Sequence, residues 1–289
     1  MIHTISNEFL TVNIAEKGAE LRSVKSADGC EYLWQGDEKY WEDRAPFMFP
    51  ICSSVFEDIY TYRGKEYKMG LHGFAQYEIF SADKKSETEI EFSLSSTEKS
   101  HEIYPFDFIL SITYILEGKK LSVRADIKNT GNDVLCAAFG AHPGFNAPLG
   151  GEGDFEDYYI EFSEEAEPTQ ILVAPVTGET VPLELESKKI LRLRHDLFIP
   201  DGIFMYGMAK ELTLRSTAGD RSVKMKYDDM KYLGIWQEYG LDTPFICIEP
   251  WCAPPTNDRK TREDLETKKD LFHIAANDTK TASYSMEFN

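Results

Sequence analysis

The feature that most constrains this chain's fold is an alternation of apolar and polar side chains that returns along its whole length. Phe108-Ile109-Leu110-Ser111-Ile112-Thr113-Tyr114-Ile115-Leu116 and Leu121-Ser122-Val123-Arg124-Ala125-Asp126-Ile127 both follow a period of two, with Glu117-Gly118-Lys119 as the turn between them. That period sends successive side chains to opposite faces of a strand, so each run has one face to bury. The pattern recurs at 9–14, 21–24, 78–80, 89–94, 158–162, 190–193, 212–215, 223–227, 232–236 and 283–288. Tyr60 to Tyr67 reads as a hairpin turning near Gly64, and the proline-bounded stretch 46–50 as a loop or edge. Strands this frequent, separated by turn signals, predict an all-β fold: a large antiparallel β-sandwich with few short helices. One helix is expected over 261–269, capped by Thr261, with Asp264 four residues ahead of Lys268. No repeat, low-complexity tract or linker divides the sequence, so residues 1–289 read as a single domain.

Charge narrows the partners. The 50 acidic residues outnumber the 31 basic ones and give a net charge of -19, which repels phosphate backbones and anionic membranes. Nucleic acid and membrane roles are therefore disfavoured, and a small neutral ligand is the easiest partner to accommodate. The 15 Tyr, 18 Phe and 4 Trp suit strand packing, and they also suit stacking against a sugar. Five cysteines form no Cys-x-x-Cys pair, and the N-terminus carries no secretory leader pattern. An odd count of this kind points to reduced thiols and a cytoplasmic protein. No apolar run approaches the ~18 residues of a membrane span. Oligomeric state is not legible.

Chemistry concentrates near the C-terminal third. Phe245-Ile246-Cys247-Ile248 is a short apolar run bounded by Pro244 and Pro250, a buried strand, and Glu249 stands at its end. A carboxylate meeting an apolar wall has its pKa raised by desolvation, which suits a general base near neutral pH. The alternative is a Glu that leaves for solvent or pairs with an arginine. Two of the six histidines stand out: His72 in Leu71-His72-Gly73-Phe74, where Gly73 has no side chain to block close approach, and His142 in Ala141-His142-Pro143-Gly144-Phe145. Glycines and a proline fix the backbone around His142, as an imidazole that moves protons requires. His3, His101, His195 and His273 read as structural or solvated. No short ligand spacing signals zinc, so no metal is expected. The absence of Gly-x-Ser-x-Gly, a P-loop and Gly-x-Gly-x-x-Gly argues against a serine triad and a nucleotide cofactor.

The blocks His72-Gly73-Phe74-Ala75, Ala141-His142-Pro143-Gly144-Phe145 and Cys247-Ile248-Glu249-Pro250-Trp251 resemble the aldose 1-epimerase (galactose mutarotase-like) family, in its LacX-like branch. The similarity spans nearly the whole chain, including 44–50 and the hairpin 62–67. It implies a β-supersandwich and cofactor-independent interconversion of the α and β anomers of a free aldose. It maps the catalytic base onto Glu249, the acid onto His142 and a substrate-binding histidine onto His72. Asp201, in a Pro-Asp-Gly turn, matches an aspartate that holds sugar hydroxyls. One departure stands out: Ser53-Ser54 follows Phe49-Pro50-Ile51-Cys52 where the branch carries Gly-Arg. Arg44 is then a candidate to supply the missing guanidinium, with Arg63 as another, and Trp251 a candidate apolar face beside Trp236 and Phe145. The departure leaves open a sugar-binding protein without useful turnover; a third reading, a sugar-phosphate epimerase, needs a basic cluster, and no Arg-rich block is present.

Overall fold

The structure, a computed structural model, describes residues 1–173, 179–255 and 260–289. The two most strictly alternating runs form its longest hairpin, Phe108–Glu117 against Lys120–Asn129, closed at Glu117 and Lys120. Gly118 lies there at φ +58°, a conformation that costs an L side chain but not glycine. The inward positions Leu110, Ile112, Tyr114, Leu121, Val123, Ala125 and Ile127 are buried. This hairpin sits inside a nine-stranded antiparallel sheet. Glu89–Ser95 and Ser81–Lys84 extend it on one side. Thr279–Phe288, Ser222–Lys226, Glu211–Ser216, Tyr158–Phe162 and Ile190–Arg192 extend it on the other.

A second, eight-stranded sheet shares the same hydrophobic core. Its order is Thr180–Pro182, Thr169–Ile171, Ile203–Tyr206, Tyr232–Trp236, Phe245–Trp251, Gly140–Ala141 and Phe47–Met48, and Gly144–Asn146 also pairs with Phe245–Trp251. All seven residues of Phe245–Trp251 are buried, as a continuous apolar run demands. The all-β class therefore holds, and the stretch 46–50 does form an edge strand.

Three local expectations need correction. Residues 78–80 form no strand; Ile79 makes only a single bridge, to Lys17. Pro250 does not end the strand, which runs on through Trp251. Ile248 and Cys252 both donate backbone N–H bonds towards the 139–143 segment, at 3.1 and 2.9 Å. By the two-residue alternation, the N–H that Pro250 lacks would face the same side. The facing chain is interrupted there, between Gly140–Ala141 and Gly144–Asn146, so no ladder bond is lost.

The helix expected over 261–269 does not form. Glu263 and Leu265 instead exchange backbone hydrogen bonds with Thr61 at 2.9 and 2.8 Å. Asp264 accepts from the Glu266 N–H at 2.9 Å, a local turn that competes with helix. Lys268 pairs with Glu263, at 2.8 Å, rather than with Asp264. Among the described residues the α-helix that does form, Glu98–His101, is a single turn with a Thr97/Ser100 capping box. Among the described residues no helix is long and apolar enough to cross a membrane.

Candidate functional site

Sheet register brings the first two functional side chains together. Gly140 is in register with Trp251, and Gly144 with Cys247. Continuing either antiparallel count places His142 opposite Glu249. On the strand's other flank the partner of Glu249 is Gly234, where a Cβ would meet that of Glu249 at 3.3 Å and the Phe204 ring at 3.2 Å. One neighbour thus supplies an imidazole and the other supplies room.

His142 Nε2 lies 3.2 Å from Glu249 Oε2, with the residues 8% and 1% exposed. The contact is close but not aligned as a hydrogen bond, and within the described protein neither carboxylate oxygen nor His142 Nδ1 makes one. Burial holds the Glu249 carboxyl well above the usual carboxylate range. The Trp251 indole opposes that rise, without ordinary hydrogen-bond geometry, and the charge of Asp201 adds to it. Burial likewise holds His142 well below the usual imidazole value, and His72 pushes the same way. Burial thus disfavours the charged form of both groups.

A third group reaches the same place from a strained loop. Ser53 and His72 both adopt left-handed backbone, φ +64° and +62°, which non-glycine residues seldom do. They are tied reciprocally: the Ser53 N–H donates to His72 Nδ1 at 3.0 Å, and the His72 N–H to the Ser53 carbonyl at 2.8 Å. Because Nδ1 accepts, the ring proton belongs on Nε2, and His72 is a neutral donor. Burial pushes its pKa down to about 4, which keeps it so at neutral pH.

Gly73 makes this loop possible. At φ +77°, a Cβ there would stand 2.1 Å from the Phe49 carbonyl oxygen. Gly73→Ala is expected to cost about 3 kcal/mol or more, from left-handed strain plus backbone clash. A urea midpoint unchanged from wild type would refute this.

His72, His142 and Glu249 open onto one cavity of about 400 Å³, with Asp201, Trp236 and Trp251 also in its wall. Trp41 lies against His142, ring centroids 5.0 Å apart, and Trp236 meets it edge-on at 5.5 Å. An acid–base pair with one proton, a neutral donor and aromatic faces can bind a polyhydroxylated ring and move its protons.

Comparison with known proteins decides the family. The aldose 1-epimerase family model matches residues 1–256. The chain belongs to the aldose 1-epimerase family. Two curated relatives from Lactococcus lactis subsp. lactis are plasmid and chromosomal protein LacX, 34% and 33% identical over 98% of this chain and 97% of each of theirs. A galactose mutarotase related enzyme from Lactobacillus acidophilus superposes with a TM-score of 0.94 at 29% identity, covering 100% of this chain and 97% of that one. A galactose mutarotase-like protein from Lactobacillus casei gives 0.93 at 29%, covering all of both chains. Family and fold together support a mutarotase function, and the aldose 1-epimerase family implies a sugar substrate.

Of the six residues singled out as an aldose 1-epimerase site, His72, His142, Asp201, Glu249 and Trp251 line the cavity. Arg44 does not. Its backbone is held by Glu20 at 2.9 Å, and its guanidinium turns to the Glu42 carbonyl at 3.5 Å. Arg63 is also elsewhere, paired with Asp133 at 3.0 Å. Ser53, at the departure from the family pattern, lines the cavity and contributes its backbone N–H to His72. Phe145 is fully buried away from it. Sequence reasoning missed Trp41 and Glu238 in the cavity wall. It also missed Cys247, whose sulfur lies within 4.8 Å of ligand atoms of His142 and Glu249. The period of two was the available signal for Cys247, since it places positions 247 and 249 on one face.

Proposed function

We propose that this protein is an isomerase that interconverts the α and β anomers of a free aldose by acid–base ring opening and reclosure. The observation that carries the reading is the meeting of His142 and Glu249 at 3.2 Å in the wall of a cavity that His72 also enters. The resting pair holds its proton on Glu249. Sugar hydroxyls that donate to the carboxylate favour its ionised form, so substrate entry shifts the proton to His142. Glu249 then takes the proton from the anomeric hydroxyl while His142 gives one to the ring oxygen. The ring opens to an aldehyde, the C1–C2 bond rotates, and reclosure from the other face returns both protons. Acid and base contributions of about 10²–10⁴-fold each suffice for such a step. His72 donates through Nε2 to a sugar hydroxyl, Asp201 accepts from others, and Trp251 supplies part of the apolar wall.

The test is polarimetry or NMR exchange on freshly dissolved single anomers of simple hexoses. Catalysed approach to equilibrium at micromolar protein is the expected result. Saturable binding with no acceleration for any aldose would replace this reading with that of a sugar-binding protein, the alternative that the Ser53-Ser54 departure favours. Acceleration confined to phosphorylated sugars would replace the free aldose as substrate.

A further inference from the structure

We propose that His142, Cys247 and Glu249 together form a binding site for a thiophilic divalent cation of the zinc class. Bound there, the cation occupies the imidazole and the carboxylate at once and so inhibits the isomerase. The inhibition rests on the function proposed above; the binding does not.

The ligand set comes from sheet geometry. Cys247 and Glu249 are alternate residues of one strand and face the same side, and the register places His142 opposite Glu249. One ligand atom from each of the three lies within 4.8 Å of the others, and all three residues are buried. Zinc bonds of about 2.0–2.3 Å in a tetrahedron hold ligand atoms roughly 3.3–3.8 Å apart. His142 and Glu249 are already closer than that, at 3.2 Å. The widest separation exceeds the tetrahedral spacing by at most about 1 Å.

The chemistry of the set is selective. A thiolate, an imidazole and a carboxylate suit zinc and cobalt; magnesium and calcium prefer all-oxygen sites. Capacity is available too, because neither Glu249 oxygen makes a hydrogen bond within the described protein. His142 and Glu249 line the cavity and so provide the way in, while Cys247 stands one step deeper, fully buried beside Trp34 and Phe245. A water or sugar hydroxyl on the cavity side completes four-coordination. On binding, the thiol proton and the carboxyl proton pass to buffer; no electrons move.

Cobalt titration of chelator-treated, fully reduced protein tests the site without using activity. One equivalent of Co²⁺ is expected to give four-coordinate visible bands and a thiolate-to-cobalt charge-transfer band, both removed by Zn²⁺. Cys247→Ala should abolish the charge-transfer band and weaken Zn²⁺ binding by at least the ~10–100-fold that loss of a supporting partner costs at metal sites. Zinc inhibition of anomer exchange, measured against each protein's own metal-free rate, should be weakened in this variant. Glu249→Gln, which keeps the thiol, should retain a weakened charge-transfer band, a check should Cys247→Ala fold poorly. Wild-type protein with no such band, or a band that survives Cys247→Ala and so belongs to Cys30, Cys52, Cys136 or Cys252, overturns the proposal.

Discussion

Glu249→Gln is expected to lower the anomer-exchange rate by about 10²–10⁴-fold, because the amide fills the same space but cannot take a proton. The same substitution should change how stability depends on pH. The folded pKa of Glu249 lies well above its ordinary value of 4.5, so between that value and the folded one the native state binds more protons than the unfolded chain. Stability is therefore fully present below 4.5 and declines as pH rises through the window, by up to about 1.4 kcal/mol per pH unit. Glutamine has no such decline. Urea midpoints at pH 5 and pH 8 should show the variant gaining on wild type at the higher pH. Parallel pH slopes for the two proteins would show that Glu249 is ionised in the folded state.

His142→Asn is expected to cost a comparable factor in exchange rate. Combined with Glu249→Gln it should cost little more than either alone, since two groups that pass one proton between them act as a unit. Additive losses would separate their roles. Here the stability effect has the opposite sign. The folded pKa of His142 is depressed below 6.5, so its contribution is present above that pH and is lost as pH falls. His72, with a folded pKa of about 4, contributes in the same direction. The acid-side slope of the His142→Asn protein should thus be shallower than wild type without vanishing.

Much of this was legible because strands advertise themselves one residue at a time. The runs at 108–116 and 121–127 needed no tertiary information: alternation marks the face and Gly118 marks the turn. Glu249 was legible for a similar reason, as a lone acid after four apolar residues. That His142 would be its register partner was not. Register between strands so distant in sequence is a property of the assembled sheet, and no local pattern encodes it. Arg44 was drawn in by its charge alone, and its neighbours Glu20 and Glu42 hold it elsewhere. The segment 261–269 failed as a helix because Thr61 offers its backbone a partner, a competitor absent from any local window. Trp41 carried no signal, as an aromatic beside another aromatic is ordinary strand composition until the fold turns it against His142.

The packing around His142 also has a practical consequence. The chain contains four tryptophans, and all of them sit in or directly behind the cavity: Trp41 and Trp236 against His142, Trp251 facing His72 at 6.0 Å, and Trp34 stacked on Phe245 at 4.8 Å. Tryptophan emission, excited at wavelengths where the 15 tyrosines do not absorb, is thus an unlabelled report from one place. A charged imidazolium quenches a neighbouring indole, so the emission recorded as a sugar is titrated in reads transfer of the proton from Glu249 to His142.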